Sequence, residues 1–284
     1  MILDTLHRII ETDTKGQKNP LFTRTLLKEE LQNCVLNYLY NSKKYKMLIF
    51  TGGTCLRKVY GLPRLSEDLD FDFIDAFSIN VFSRDIRDYF VSTLQYKNIE
   101  VKISSNENTA YLKFPTILSE LKIGLDQAKS NVLFLRCDFS KELYGSYKTE
   151  INSISTIEST FFVQSYDLPT LFANKIGAFL KREYFKGSDQ DIAFKGRDVF
   201  DIVWFIEQSK KNNFQVKPNW ARLQKIIPDQ SKKDIINGVI KKASLIEKSK
   251  VFEDLAPFIE SEQNIRVFSD NFAQIIAQNV EQLV

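Results

Sequence analysis

Residues 51–73 read TGGTCLRKVYGLPRLSEDLDFDF and combine a Gly-Gly-Thr turn with three aspartates at alternate positions. On a β-strand, every second side chain points to the same face of the sheet. One face of this strand should therefore carry Asp68, Asp70 and Asp72, while the apolar residues between them cover the other face. Neighbouring carboxylates repel each other unless a positive charge lies among them. The pattern therefore favours a bound metal ion.

The turn and the first two aspartates each have a functional and a structural interpretation. Gly52 and Gly53 lie between an apolar segment and a helical one, where their backbone N–H groups could approach a phosphate. The alternative is an ordinary tight turn. Asp68 and Asp70 could jointly hold Mg²⁺, which prefers oxygen ligands and usually keeps bound phosphates and waters. The alternative is an acidic, solvent-facing edge strand, and Asp72 is predicted to be solvated.

The order of these elements resembles the signature of the nucleotidyltransferase-β superfamily, in which Gly-Gly or Gly-Ser precedes Asp-x-Asp on the following strand. More narrowly, GGTCLRKVYGLPRLSEDLDFDF is similar to the AbiEii-type nucleotidyltransferase toxins of abortive-infection, type IV toxin–antitoxin systems. The resemblance implies an α+β fold. A minimal nucleotidyltransferase-like mixed β-sheet core with flanking helices would be followed by an all-helical C-terminal domain.

The resemblance also implies a set of site residues. The implied nucleotide-binding residues are Gly52, Gly53, Thr54, Arg64, Ser66, Lys175 and Arg182. The implied catalytic residues are Asp68, Asp70, Asp126, Lys175 and Asp198. The implied metal ligands are Asp68, Asp70 and a third acid, for which Asp126 in LKIGLD is preferred and Asp138 in FLRCDF is the alternative. The cofactor would be one or two Mg²⁺ ions, for which Mn²⁺ can substitute, and the substrate would be an NTP.

Residues 167–206 carry the second part of the resemblance, a helix bearing a lysine followed by KGRDVFD. Lys175 lies within an apolar helical stripe, so its ammonium either reaches water along the protein surface or points into a cleft. Arg197 and Asp201 are four residues apart and could pair on a helix surface. The resemblance instead implies that Lys175 meets the nucleotide phosphates and that Asp198 is a functional residue of the cleft, supported by its neighbours.

Length and charge distribution bound the remaining interpretation. A chain of 284 residues with 43% hydrophobic residues suits one large domain or two ordinary ones. The change from strand-like to helical periodicity predicts domains at 1–165 and 166–284. The helical domain would complete the active-site cleft. Residues 205–250 contain eleven Lys or Arg and four Asp or Glu, whereas the overall net charge is only +3. A solvated surface and a nucleic-acid footprint both explain this basic segment.

Several classes of site and location are excluded or disfavoured. His7 is the single histidine, which excludes a zinc site built on His and Cys clusters and argues against a His-based catalytic triad. The three widely spaced cysteines indicate reduced thiols, as expected in a cytoplasmic protein. No signal peptide or membrane-spanning run is recognised, so no membrane partner is expected.

The expected function is transfer of a nucleoside monophosphate from an NTP to an acceptor hydroxyl. By the resemblance, the acceptor would be RNA, at the 3′ end of a tRNA, and the protein would act as a toxin with a cognate antitoxin. One alternative is an enzyme of the same fold that modifies a small molecule or a protein. The other is a catalytically silent binding module.

Overall fold

The computed structural model describes residues 2–13, 20–123, 132–156, 158–182, 194–213 and 215–283. Within these ranges the strands are β1 (Ile49–Thr51), β2 (Asp68–Phe73), β3 (Glu100–Ile103), β4 (Thr109–Phe114), β5 (Leu133–Lys141), β6 (Thr149–Ser155) and β7 (Thr160–Tyr166). The helices are α1 (Ile2–Asp13), α2 (Pro20–Asn41), α3 (Gly52–Tyr60), α4 (Ile79–Ser92), α5 (Ile117–Glu120), α6 (Leu168–Lys181), α7 (Gly196–Lys211), α8 (Trp220–Ile226), α9 (Lys232–Leu245), α10 (Lys248–Leu255) and α11 (Glu262–Asn279), followed by a 3-10 helix at Val280–Leu283.

The seven strands found in the described ranges form one mixed sheet with the order β3-β4-β5-β2-β1-β7-β6. Strand β2 runs parallel to β5 and antiparallel to β1, and β1 runs parallel to β7. The pairs β3–β4 and β4–β5 are antiparallel. This mixed sheet, with flanking helices and a helical C-terminal part, confirms the predicted α+β class.

Strand β2 has the alternation that its sequence predicts. Leu69 and Phe71 are fully buried, whereas the three aspartates that alternate with them along the strand are partly exposed. The ring of Phe71 stacks between those of Phe50 and Phe139, with centroid distances of 5.6 and 5.4 Å. Burial of these rings holds one face of β2 against the core, because a shift of one residue would exchange the two faces. The carboxylates are therefore kept on the opposite face.

Helix α3, which begins at the glycine turn, is fastened to α2 by polar contacts. Arg57 Nε donates a hydrogen bond to Glu29 Oε1 at 2.8 Å, and Lys58 Nζ donates to Asn33 Oδ1 at 2.6 Å. Burial lowers the pKa of Lys58 to about 8, although the nearby carboxylates of Glu29 and Glu30 act in the opposite direction. These contacts fix the helix whose first turn forms the candidate site.

One predicted strand is wrong in its described part. The segment LKIGLD was interpreted as β-like, but Leu121–Ile123 follow the short helix α5 as a turn, in which Lys122 has a φ of 54°. Asp126, the preferred third acid, lies outside the described residues. Its role as third acid therefore stays a prediction. Strand β6 was not predicted, because its residues are mostly exposed and lack an apolar face.

The chain divides into two compact units. The first unit comprises Met1–Glu142 and Ile151–Ser165, and it contains the glycine turn and the aspartate strand. The second unit comprises Leu143–Glu150 and Tyr166–Val284. The sequence predicts a boundary near residue 165. The structure in addition assigns residues 143–150, which precede that boundary in the chain, to the second unit.

Arg222 ties this excursion to the helices of the second unit. Its Nη1 donates a hydrogen bond to the Gly145 carbonyl at 3.0 Å, and its Nε donates to Asn174 Oδ1 at 2.5 Å. Three tyrosine ring centroids lie 5.0–5.8 Å from its guanidinium carbon. A buried guanidinium needs such partners, since an unpaired charge in the interior is strongly unfavourable.

Within the part of the chain that the structure describes, no helix is both long and apolar enough to cross a bilayer.

Candidate active site

The turn at Gly52 requires glycine for two reasons. Its φ is +77°, a left-handed backbone conformation that residues with a side chain rarely adopt. A Cβ atom at this position would also lie 2.0 Å from Oδ2 of Asp70, which is far inside contact distance. The backbone of the turn and the carboxylate of Asp70 are therefore packed directly against each other.

Two polar side chains lie beside the second glycine of the turn. A Cβ atom on Gly53 would come within 2.8 Å of Arg64 Nη2 and 3.1 Å of Ser66 Oγ. Both side chains are buried, and Arg64 Nη1 donates a hydrogen bond to the Leu65 carbonyl at 2.9 Å. Arg64 and Ser66, which the sequence assigned to the nucleotide site, thus lie next to the turn.

Thr54 fastens the turn to the aspartate strand. Its buried hydroxyl donates a hydrogen bond to the carbonyl oxygen of Asp68. The first N–H groups of a helix have no partner within the helix, and the N-cap residue Thr51 gives them no side-chain hydrogen bond. What this turn can offer to an anion is therefore the backbone N–H groups at the start of α3, together with the partial positive charge of the helix end.

The carboxylates of β2 belong to a larger polar face formed by neighbouring strands. Asp70 lies in register with Thr51 of β1 on one side and with Asp138 of β5 on the other. Asp68 lies in register with Arg136 of β5. Residues in register on adjacent strands point to the same face of a sheet. On β2 and β5 this face therefore carries the carboxylates of Asp68, Asp70, Asp72 and Asp138 and the guanidinium of Arg136.

Asp138, the alternative third acid, has close partners. Arg136 Nε lies 2.8 Å from Oδ2 and 3.0 Å from Oδ1 of Asp138. The Thr109 hydroxyl donates a hydrogen bond to Oδ1 at 2.5 Å. Arg136 is not among the residues that the family resemblance implies. The available signal was its alternation with Asp138 in FLRCDF, which places both side chains on one face of a predicted strand.

The carboxylates of this face supply only part of the oxygen ligands that a hard cation such as Mg²⁺ needs. In the described ranges there is no group of three or more His, Cys, Asp or Glu side chains that could hold a metal ion. Asp68 and Asp70 provide two carboxylates on one face, and Mg²⁺ commonly binds one or two carboxylates together with phosphate oxygens and waters. The pair therefore fits Mg²⁺ if substrate supplies the remaining ligands.

In the second unit, Lys175 is paired with a buried carboxylate. Its ammonium lies 2.7 Å from Oδ2 of Asp201, whose side chain is 0% exposed, while that of Lys175 is 14% exposed. Helices α6 and α7, which carry the two residues, pack through stacked rings of Phe172 and Phe205 at 4.3 Å. Lys175 therefore has a third role that the sequence did not suggest, as the counter-ion of Asp201.

Asp198 and Arg182 form a second ion pair in the same unit. Arg182 approaches Asp198 Oδ2 with Nε at 2.7 Å and Nη2 at 2.5 Å. Asp198 is buried in the first turn of α7, where the helix dipole also favours a negative charge. Its neighbour Arg197 has its guanidinium carbon 4.4 Å from the Phe258 ring centroid. The structure thus brings together Arg182 and Asp198, which the sequence named separately.

Comparison with solved structures returns proteins of similar length at low sequence identity. JHP933 from Helicobacter pylori is 16% identical over 91% of this chain and 94% of that chain, with a TM-score of 0.45. MenT4, a nucleotidyltransferase toxin from Mycobacterium tuberculosis H37Rv, is 15% identical over 91% of this chain and 94% of that chain, with a TM-score of 0.45. No curated protein sequence matches the chain significantly.

Comparison with protein families gives a match that covers the glycine turn, the aspartate strand and most of the helical unit. The matching model is described as "Nucleotidyl transferase AbiEii toxin, Type IV TA system", and it aligns with residues 35–276. The match extends over far more than half of the chain. This protein therefore belongs to the AbiEii family of nucleotidyltransferase toxins and is a nucleotidyltransferase.

Proposed function

We propose that this nucleotidyltransferase moves a nucleoside monophosphate from an NTP to a hydroxyl of RNA, at the 3′ end of a tRNA, with pyrophosphate as the leaving group and Mg²⁺ as the cofactor. The contact between the Gly52 backbone and the Asp70 carboxylate supports this proposal most directly. It joins a phosphate-binding type of turn to a metal-binding type of strand, which are the two features that phosphoryl chemistry requires.

The residues of the first unit would have separate tasks. The N–H groups at Gly53 and Thr54 would bind triphosphate oxygens, and Arg64 and Ser66 would line the nucleotide site beside the turn. Asp68 and Asp70 would hold Mg²⁺, which supplies positive charge against the phosphate oxygens and lowers the pKa of a hydroxyl. Transfers of this kind depend mainly on positioning and electrostatic stabilisation. Asp126 is not included among the proposed metal ligands.

The second unit would contribute Lys175, Arg182 and Asp198 to the activity. Lys175 and Arg182 are cations held in fixed positions by Asp201 and Asp198. Positively charged groups of this kind bind phosphates as point charges or through planar guanidinium groups. The alternative is that their ion pairs serve only to stabilise the helices of the second unit.

Family membership implies an NTP substrate and a cognate antitoxin. We further propose that the protein acts in the cytoplasm, where its free cysteines stay reduced.

Incubation with each labelled NTP and total RNA tests the proposal. We expect label to enter RNA in the presence of Mg²⁺ or Mn²⁺ and not in the presence of EDTA, with one or more of the four NTPs preferred. Digestion of the labelled RNA from its 3′ end should release the label first. Label that enters a protein or a small molecule instead would favour the first alternative, and an absence of transfer to any acceptor would favour the binding module.

The basic segment at residues 205–250 would supply the surface that binds RNA. Lys232, Lys233 and Lys241 are exposed on α9, and these three residues are called the α9 basic face. Lys242 does not belong to it, because its ammonium donates a hydrogen bond to the Phe179 carbonyl at 2.7 Å. Burial, and then the charge of Arg182, lower the pKa of Lys242. Lys242 is therefore left out of the proposed RNA-binding residues.

Replacing the three lysines of the α9 basic face by glutamate should lower the affinity for RNA. It should also make that affinity less dependent on salt concentration. Each lost phosphate contact lowers the slope of log K against log salt by about 0.9, so three contacts correspond to about 3. Binding would be measured by filter retention of tRNA between low and moderate salt. The control variant reverses Lys43, Lys46 and Lys97, which are exposed in the first unit and give the same net charge. Equal effects of the two variants would indicate that the α9 basic face is ordinary solvated surface with no specific role in RNA binding.

A further inference from the structure

We propose that the rings of Tyr111 and Phe134 form a stacking platform for the 3′-terminal base of a single-stranded RNA acceptor, and that Lys102 contacts a phosphate of the same strand. The inference rests on the proposed function, because it gives the acceptor a position in the same reaction. It concerns the part of the sheet formed by β3, β4 and the beginning of β5.

The strand register extends the polar face of β2 toward the edge strand β3. Tyr111 of β4 lies in register with Arg136 of β5, which itself lies in register with Asp68 of β2. Lys102 of β3 lies in register with Tyr111. Phe134 precedes Arg136 by two residues on β5, and alternate residues of a strand share a face. The two rings and the lysine therefore lie on the face that carries Asp68.

The order of the strands separates this region from the glycine turn. The turn follows β1, which lies on one side of β2, whereas β5, β4 and β3 lie on the other side in that order. In an in-line displacement, the attacking and leaving oxygens lie on opposite sides of the phosphorus atom. If the turn binds the part of the triphosphate that leaves as pyrophosphate, the attacking hydroxyl approaches from the side of β5.

The distance from the aspartates suits the terminal nucleotide of an acceptor. Tyr111 is two strands away from Asp68, which corresponds to about 10 Å at the usual spacing of strands. A ribose and its base span such a distance. An acceptor whose terminal hydroxyl reacts at β2 would therefore place its last base over β4 and the beginning of β5.

The two rings are accessible on this face. Phe134 is 40% exposed, whereas Leu133 next to it is fully buried. Tyr111 is half-buried, and its ring centroid lies 6.5 Å from that of Phe134 at an angle of 63°. The apolar core lies against the opposite face of these strands, where Phe114 packs against Phe90 of α4 at 5.2 Å between ring centroids. Packing of the core therefore does not account for the exposed ring.

Contacts with helix α2 hold the ring of Phe134 in position. Lys28 Nζ lies 4.6 Å from the ring centroid and 3.2 Å from Oε2 of Glu67. A ring that is already held in place loses less conformational entropy when a base stacks on it. The cation beside the ring also suits a ligand that carries phosphates.

Aromatic rings beside cations are the combination by which proteins bind single-stranded nucleic acid. Bases stack on the rings with little regard to their identity, and the cations follow the phosphate backbone. Lys102 is exposed on β3, and Lys113 adds a positive charge in register with Phe134, although Glu100 lies on its other side. Open sheets with such rings bind unpaired RNA. This face therefore fits an unpaired 3′ end better than a duplex, whose bases are stacked on one another.

A single-stranded RNA octamer with a fluorescent label at its 5′ end is the first probe, used with EDTA and without NTP. Fluorescence anisotropy on the full chain should show that Phe134→Leu and Tyr111→Leu each weaken binding about fivefold or more. Phe134→Tyr and Tyr111→Phe should retain the affinity, because an aromatic ring remains. The control Phe162→Leu removes a 65% exposed ring from β7, on the far side of β1, and should bind as the unaltered protein does.

An octamer that lacks only its 3′-terminal base separates stacking from an indirect structural effect. The unaltered protein should bind this octamer about fivefold or more weakly than the intact one, and Phe134→Leu should weaken its binding no further. Lys102→Gln should instead weaken the binding of both octamers and lower the slope of log K against log salt by about 0.7. In transfer assays, the leucine variants should raise the KM for RNA while the Kd for NTP is unchanged.

Three results would overturn the proposal. The first is unchanged affinity for the intact octamer in both leucine variants. The second, which decides the matter even if neither variant folds, is equal binding of the two octamers by the unaltered protein. The third is a loss confined to NTP affinity, which would assign the rings to the base of the NTP.

Failure of the platform and failure of the proposed function give different results. If the expected binding pattern is found but no nucleotide is transferred to RNA, the proposed function fails while the stacking platform stands. If nucleotides are transferred to RNA with an unchanged KM in both leucine variants, the proposed function stands and the platform is excluded.

Discussion

Asp70→Asn is expected to lower nucleotide transfer by about a hundredfold or more while the protein stays folded. Removal of one well-placed electrostatic group from a catalytic site commonly costs on the order of 3 kcal/mol of barrier. Asparagine has nearly the same shape, so the close contact with the Gly52 backbone is retained. Loss of a negative charge next to Asp68 and Asp138 should leave the free energy of unfolding unchanged or slightly raised. Initial rates at saturating NTP and metal, together with urea unfolding, measure both quantities.

Asp72→Asn is the matched control for this variant. Asp72 lies on the same strand and face, but its register partners are Ile49 and Ser140, one step away from the turn. We expect a rate within about threefold of the unaltered enzyme, as for a substitution at a group without a catalytic contact. Near-normal turnover in a folded Asp70→Asn protein would rule out the proposed metal site. An equal loss in both variants would indicate that the acidic face acts through its overall charge.

Lys175→Met is expected to destabilise the second unit by about 3–5 kcal/mol. It removes the ammonium that lies 2.7 Å from the fully buried carboxylate of Asp201. Deleting one partner of a buried ion pair removes a charge that offsets the cost of burying the other, which is strongly unfavourable. Methionine keeps the length and the apolar contacts of the lysine stem, so packing changes little. The midpoint of urea unfolding should fall with an unchanged m-value.

The double variant Lys175→Met/Asp201→Asn separates the structural role of Lys175 from its proposed functional one. Because the carboxylate is neutralised together with the ammonium, most of the lost stability should return. If Lys175 serves the nucleotide, the stable double variant should still bind NTP weakly. Recovery of NTP affinity together with stability would show that the lysine acts only as the counter-ion of Asp201.

The sequence by itself determined the chemistry of the β2 strand and the family. Alternation of Asp68, Asp70 and Asp72 with apolar residues has a period of two, and this period alone separates a polar face from a buried one. The Gly-Gly-Thr turn, the change to helical periodicity after residue 165 and the KGRDVFD motif are also local patterns. Each can be recognised without knowledge of which segments lie side by side.

Only the tertiary structure decided which distant residues become neighbours. Asp138 lies next to Asp70, and Arg136 next to Asp68, because β5 pairs in parallel with β2, although β3 and β4 intervene in the chain. No local pattern specifies such a register, since it depends on the order of strands in the sheet and on burial of the rings beneath it. The pairing of Lys175 with Asp201 depends in the same way on the packing of α6 against α7. The local sequence around a lysine in an apolar stripe is the same whether its ammonium contacts water, a ligand or a buried carboxylate. The packing of the helices determines which of these contacts forms.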